Sequence, residues 1–177
     1  MSLKSNFILM AEYNKWMNES IYSAASRLSR DSLSENRGAF FGSIIGTLNH
    51  ILVADVIWLK RFASHPANFS SLNCLAITPL PEKLDSILFS DFEKLKNERN
   101  RLDGVILEFV NQLSDEHLDN DLPYQNTKGV PYTKSFSLLM QHFFNHQTHH
   151  RGQISTMLSQ SGIDLGVTDL LVKIPNE

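Results

Sequence analysis

Histidines at helical spacing are the residues of this chain whose type and position most clearly allow chemistry. Four of the seven lie within nine residues, in the stretch HFFNHQTHHRGQ at positions 142–153. A helix turns about 100° per residue, so His142, His146 and His150 form one ridge with His149 beside it. His146 and His150 also fall on the apolar line of this helix, where such a pair can direct two imidazole nitrogens at one metal ion. The alternative is a pair of hydrogen-bonded packing residues, because each buried ring needs partners for its polar atoms.

A third ligand is available in the segment GSIIGTLNHILVADVIWL, where His50 has Gly46 one turn before it and Ala54 one turn after it. Small residues around an imidazole leave room for an ion and a bound ligand, although they also simply permit close helix packing. Three histidines on a divalent transition metal leave positions open for water or a substrate atom. The remaining histidines, His65 and His117, stand in predicted loops and are expected to be exposed.

The surroundings of these histidines do not match the familiar metallohydrolase motifs. The residue after His146 is Gln147, where the zinc-protease motif has the glutamate that acts as general base. The paired Glu-x-x-His motifs of di-iron bundles are also missing. Hydrolysis would therefore need a metal-bound hydroxide or a base that the sequence does not identify.

Three further residues near the predicted site have a structural and a functional interpretation. Arg151 is expected to pair with Asp55 or Glu12 and lock helices together, with binding of a substrate anion as the less favoured reading. Asn14 occupies an apolar position of the first helix, either as a polar residue that fixes helix register or as part of the pocket lining. Gly152 is expected to permit a close helix approach beside the site.

Four long segments with helical periodicity must position these residues. They span residues 7–28, 39–63, 81–113 and 133–161, with Gly38 at the start of the second and Gly162 after the end of the fourth. Two short apolar-aromatic stretches that flank QNTKG predict a small β-hairpin near residues 124–132. The sequence therefore predicts an all-α chain, a four-helix bundle formed by residues 1–177 as a single domain.

Composition excludes several classes of protein. The 177 residues carry a formal net charge of -3, from 16 basic and 19 acidic side chains. A protein that binds nucleic acid through many phosphates usually has a basic face, and the sequence shows none, which argues against nucleic acid as the main partner. The only cysteine is Cys74, which excludes an intrachain disulfide and is compatible with a reducing cytoplasm. No apolar run approaches the roughly 18 residues of a membrane span. We expect a cytoplasmic protein that binds neither nucleic acid nor membrane.

Two long blocks of sequence resemble the DinB family, the damage-inducible metal-binding bundles related to YfiT-like and thiol-dependent transferase proteins. The blocks are TLNHILVADVIWLKRF around His50 and HFFNHQTHHRGQISTMLSQSGID from His142 onward. The resemblance also includes YNKWMN, AFFGSIIGTLNH, YQNTKG and GVTDL, so it extends over essentially the whole chain.

This resemblance implies an up-down-down-up four-helix bundle, often dimeric, and a divalent metal, nickel or zinc, held by His50, His146 and His150. His149 stands where relatives often have tyrosine, so it is expected to support the ligands or simply to pack. His142, one turn away, is expected to hydrogen-bond near the site. Catalytic residues stay unassigned.

Two classes of function stay open at this point. One is a metal-dependent enzyme that acts on a small-molecule substrate, either a transferase that uses a low-molecular-weight thiol as co-substrate or a hydrolase. The other is a non-catalytic metal-binding stress-response protein.

Overall fold

Four long helices make up most of the structure, a computed structural model that describes residues 2–176. In chain order its elements are α1 (Leu3–Ala25), α2 (Arg30–Ser34), α3 (Ile44–Phe62), a 3-10 turn (Ser70–Leu75), α4 (Phe92–Gln112), α5 (Asp115–Leu118), β1 (Asp121–Gln125), β2 (Pro131–Ser135), α6 (Phe136–Gln160) and a second 3-10 turn (Leu170–Lys173). The long helices are α1, α3, α4 and α6. Among the residues described, no helix has both the length and the apolar character needed to cross a membrane.

Polar side chains set the first residues of three of the long helices. Ser2 accepts a hydrogen bond from the Ser5 amide at the start of α1, and Ser43 does the same for Gly46 at the start of α3. The Asp91 carboxylate accepts from the Lys94 amide where α4 begins. Each cap satisfies a backbone amide that has no partner inside its helix.

Aromatic residues fill the core between neighbouring helices. Helix α1 packs against α4 and α6, while α3 packs against α6 and α4. The Phe62 ring of α3 lies 5.8 Å from Phe109 of α4 and 5.7 Å from Phe143 of α6, centroid to centroid. On the other side of the core, Phe7 of α1 stacks on Phe144 of α6 at 6.1 Å.

A network of buried charges also crosses this core. The Arg99 guanidinium donates to Asp55, and its other terminal nitrogen lies 3.0 Å from Asp103; all three side chains are about 1% exposed. The Asn18 amide donates to Asp103 at 2.9 Å and the Gln147 amide to Asp55 at 2.7 Å. Burial raises the pKa of Asp55 to about 6, although the neighbouring Arg99 charge opposes this rise.

The predicted helical character and the hairpin are confirmed. Strands β1 and β2 pair antiparallel, with Tyr124 opposite Tyr132, and Gly162 takes a φ of +73° just after α6. Three predicted helix starts are wrong. Residues 39–43 form a turn that leads to the Ser43 cap, residues 81–91 are irregular up to the Asp91 cap, and residues 133–135 belong to β2.

Candidate metal centre

Helices α3 and α6 bring three histidine rings to one point. The Nε2 atom of His50 on α3 lies 3.2 Å from the Nε2 atom of His146 on α6. His150, one turn further along α6, has its ring centroid 4.4 Å from that of His146 and 4.5 Å from that of His50. One ring nitrogen from each of the three lies within 4.8 Å of the others, an arrangement that could hold a metal ion.

Two of the rings are oriented by an acceptor on the side away from the cluster. The Nδ1 atom of His50 lies 2.8 Å from the Leu84 carbonyl oxygen, and the Nδ1 atom of His150 lies 2.8 Å from Oε1 of Gln153. Because both partners are oxygen acceptors, Nδ1 carries the proton in each neutral ring and Nε2 keeps its lone pair. Two ligands on bonds of about 2.0–2.1 Å stand about 3 Å apart, so the separation of the His50 and His146 nitrogens fits one shared ion.

Burial keeps these rings neutral. It lowers the pKa of His146 to about 3, with the neighbouring His150 and His50 rings adding to the effect. The pKa values of His50 and His150 are also lowered, mainly by burial. Since only a neutral imidazole offers a lone pair to a metal, the lowered values favour ligation over protonation.

An aromatic residue covers one side of the cluster. The Phe41 ring stacks on His50 with the centroids 3.6 Å apart, and it meets His150 edge-on at 5.5 Å. This contact depends on Gly46, because a Cβ there would lie 2.2 Å from the Phe41 carbonyl oxygen. Gly46 was expected to leave room for an ion; instead it allows the backbone at Phe41 to lie close against α3.

The two other histidines of α6 lie at the edge of the cluster. His142 is exposed, packs edge-on against Trp58 at 5.1 Å, and has its ring centroid 6.0 Å from that of His146. His149 is also exposed; its Nε2 atom lies 3.2 Å from the side-chain nitrogen of Gln153, which in turn orients His150. His149 therefore contacts Gln153, the residue that orients the His150 ring.

Asn14 and Arg151 meet each other in the buried charge network. The Arg151 guanidinium donates to the Asn14 side-chain oxygen and, at 3.0 Å, to Thr148. The expected pairing of Arg151 with Asp55 or Glu12 is wrong: within residues 2–176, the salt bridges do not include Arg151. Asp55 is already engaged by Arg99 and Gln147, and the Glu12 side chain is exposed.

Two further expectations from the sequence are also wrong. His65 is buried at 3% exposure, because the chain after α3 folds back and places its ring 4.8 Å from Phe136, centroid to centroid. His117 is partly buried, with its Nδ1 accepting from the Ser114 amide. Gly152 has nothing within 4 Å of the position of a Cβ, so it does not serve a close helix contact.

Sequence reasoning missed the three residues that hold or cover the rings. Gln153 had a usable signal, because it lies three residues after His150 and so on the same side of the helix. Leu84 acts through its backbone carbonyl, which every residue has, so the residue type could not predict this contact. Phe41 falls within the second predicted helix, residues 39–63, whereas α3 begins only at Ile44.

The fold and the cluster together define a class: a helical protein with three neutral histidines from two helices arranged around one candidate metal position. The chain belongs to the DinB family, whose sequence model matches residues 1–176. It is similar to "Protein DinB" of Bacillus subtilis (strain 168), with 28% identity over 159 residues that cover 89% of this chain and 87% of that protein. No solved structure matches the chain.

Proposed function

We propose that His50, His146 and His150 hold one divalent transition metal, nickel or zinc, and that the protein is an enzyme that uses it. The observation that carries this proposal is the convergence of the three rings. The Nε2 atoms of His50 and His146 stand 3.2 Å apart, while the Nδ1 atoms of His50 and His150 are engaged by fixed acceptors on the far side. Preoriented neutral imidazoles of this kind are the usual setting of a histidine metal site.

The chemistry that this site supports best is transfer with a low-molecular-weight thiol as co-substrate and a small molecule as acceptor. A bound divalent metal would supply Lewis acidity and lower the pKa of a coordinated thiol or water. The group of side chains placed to share an ion, within the described part of the chain, contains three histidines and no carboxylate to act as base. A thiol, with a pKa of about 8.5, needs less help from a base than water does, which favours a thiol over hydrolysis.

The chain itself contributes orientation and exclusion of water. Leu84 and Gln153 fix two of the rings, and burial keeps all three neutral. Phe41 shields the His50 side of the cluster, whereas His146 stays partly exposed.

A second candidate is a metal-binding stress-response protein without catalysis. The observation that favours it is the Phe41 ring, which stacks 3.6 Å from His50 and takes up space beside the cluster that a substrate would need. A hydrolase remains the alternative within the enzyme class.

Elemental analysis of protein purified without a histidine tag tests the ligand set. We expect about one metal ion per chain, lost on substitution of His50, His146 or His150 by alanine. The matched controls are His142→Ala and His149→Ala, which remove exposed histidines of the same helix and should keep the metal. Full occupancy in His50→Ala would show that the third ligand lies elsewhere.

Titration of nickel-loaded protein with a panel of low-molecular-weight thiols tests the activity. We expect a thiolate-to-metal absorption band with at least one thiol, and consumption of that thiol when a small electrophile is added. Neither signal should appear in His146→Ala. If metal-loaded protein responds to no thiol in the panel, the transferase proposal fails while the metal site stands.

Membership of the DinB family also supports four wider proposals. They are a single domain over residues 1–177, a homodimer, a cytoplasmic location and an up-down-down-up order of the four long helices. Two contacts between α1 and α6 support this helix order. Phe7 meets Phe144, and seven residues further along both helices Asn14 meets Arg151, as expected for two helices that run parallel. Sedimentation at micromolar concentration tests the dimer, and a single monomeric species would contradict it.

A further inference from the structure

A concave site lies close to the histidine cluster, since its lining residue Leu84 is bonded to His50 through the backbone carbonyl. It is a cavity of about 680 Å³ between the last turns of α3, residues 80–84 and the turn of the hairpin. Cavities of a few hundred Å³ suit small-molecule ligands. The three histidines do not line it, so it is separate from the candidate metal position.

The cavity is positively charged in a protein that is negatively charged overall. Its lining contains Lys60, Arg61 and Lys83 against a single acidic residue, Glu82. The whole chain has a net charge of -3. A cleft lined by one sign of charge raises the local concentration of ligands of the opposite sign.

Arg61 is held in place without an anionic partner. Its guanidinium carbon lies 4.5 Å from the centroid of the Trp58 ring and 5.2 Å from that of Tyr124. Its guanidinium makes no salt bridge with any other residue between 2 and 176. Stacking on two rings restricts this side chain in advance, so an incoming anion would lose less of its binding free energy to ordering.

The walls of the cavity are fixed by hydrogen bonds between side chains and the backbone. The Asn126 side-chain oxygen accepts from the amides of Lys128 at 2.8 Å and Val130 at 3.0 Å, which fixes the hairpin turn. On the opposite wall, the Leu84 carbonyl is bonded to His50. The cavity is therefore preformed, as ligand sites usually are.

Part of the lining is apolar and open to solvent. Leu80 is 62% exposed and Leu84 is 48% exposed, although both face this cavity. Ile57 of α3 adds an apolar side chain to the same lining. A ligand with an apolar body would cover these side chains and gain free energy from their removal from water.

We propose that this cavity binds a small organic anion with an apolar, ring-sized body, and that Arg61 holds its anionic group. The charged end of the ligand meets Arg61 between the two aromatic rings, with Lys60 and Lys83 adding long-range attraction. The apolar body lies along Leu80 and Leu84. The site goes beyond the proposed metal chemistry and does not depend on it.

Calorimetric titration of metal-free protein with phenyl phosphate tests the proposal, with benzyl alcohol as the uncharged comparison. We expect saturable binding of phenyl phosphate that weakens with added salt, and much weaker binding of benzyl alcohol. Arg61→Gln should weaken phenyl phosphate binding about tenfold, the loss expected for one charge-assisted contact. The matched control is Lys173→Gln, which removes a cation that lies 5.2 Å from the Trp16 ring, outside the cavity, and should leave affinity unchanged.

Two results would overturn the proposal. One is equal affinity in Arg61→Gln and wild-type protein. The other is binding that requires loaded metal and disappears in His146→Ala, because the anion would then sit on the ion. If Arg61→Gln does not fold, Lys83→Gln provides a second test. This variant should bind phenyl phosphate severalfold more weakly than the wild type, and an unchanged affinity would equally contradict the proposed anion site.

Discussion

Gln153 determines which way the ring of His150 faces. Replacing it by leucine removes the acceptor 2.8 Å from Nδ1 while keeping a side chain of similar size. We expect the metal dissociation constant to rise about 10–100-fold, the usual cost of losing such a partner, with the fold retained. Competition with a chromogenic chelator measures this change. Gln141→Leu, an exposed glutamine on the same helix, is the control; equal affinity in both variants would mean that Gln153 does not orient the ligand.

The stability of the metal-free protein should fall on acidification because of His146. Its pKa is lowered from 6.5 to about 3 in the folded chain, so between these values the unfolded chain binds the additional proton. The stability linked to His146 is therefore fully present above pH 6.5 and is lost as the pH falls toward 3. Asp55 acts in the opposite sense, because its pKa is raised from 3.8 to about 6.

A pair of variants isolates the histidine contribution. Urea titrations at pH 7.5 and pH 5.5 should show a smaller loss of unfolding free energy in His146→Asn than in the wild type. His149→Asn, at an exposed position of the same helix, should keep the wild-type loss. An identical loss in all three proteins would assign the pH dependence to other groups.

At the scale of elements, the approach of the Phe41 backbone to α3 depends on a glycine. Replacing a helical glycine by alanine normally stabilises a protein by about 0.5–1 kcal/mol. Gly46→Ala should do the reverse, by about 1–3 kcal/mol, because the new Cβ would lie 2.2 Å from the Phe41 carbonyl oxygen. The displaced loop should also weaken metal binding, since Phe41 stacks on His50.

Gly104 of α4 provides the matched control for this substitution. A Cβ there meets nothing within 4 Å, so Gly104→Ala should show the ordinary stabilisation. Urea denaturation gives both free energies of unfolding. A stabilised Gly46→Ala protein with wild-type metal affinity would show that the loop accommodates the methyl group freely.

The elements that sequence patterns predicted correctly are those whose interactions are local. Helical periodicity identified the four long helices, and QNTKG between aromatic residues identified the hairpin. The pattern failed at residues 81–91, where Leu84 and Leu88 continue the helical spacing although Leu84 is 48% exposed. The carbonyl of Leu84 is bonded to His50, 34 positions earlier, and periodicity cannot register a contact at that distance.

At the scale of the whole molecule, the buried charges connect all four long helices. Arg99 of α4 binds Asp55 of α3 and Asp103 of its own helix, while Asn18 of α1 and Gln147 of α6 bind the same carboxylates. The sequence marks Asn14 as a polar residue in an apolar position, but Arg99 and Asp103 look like ordinary surface charges. Only the packing of four helices shows that they lie inside.

Arg99→Leu should destabilise the protein by about 3–5 kcal/mol, because it leaves two buried carboxylates without their cation. Arg101→Leu is the control on the same helix: it breaks a salt bridge to Glu98 in which the arginine side chain is 41% exposed. Such surface pairs contribute about 0–1 kcal/mol. Thermal or urea unfolding compares the two variants, and similar losses would show that the network adds little to stability.

His50 and His146, whose Nε2 atoms lie 3.2 Å apart, are separated by 96 positions in the sequence. During synthesis from the N-terminus, His50 leaves the ribosome long before the helix that supplies the other two rings. The three-nitrogen site therefore does not exist until translation has passed residue 150 and α6 has folded against α3. The proposed metal would therefore be captured only after α6 has folded against α3, and a chain that terminates before α6 keeps only His50 of the three histidines.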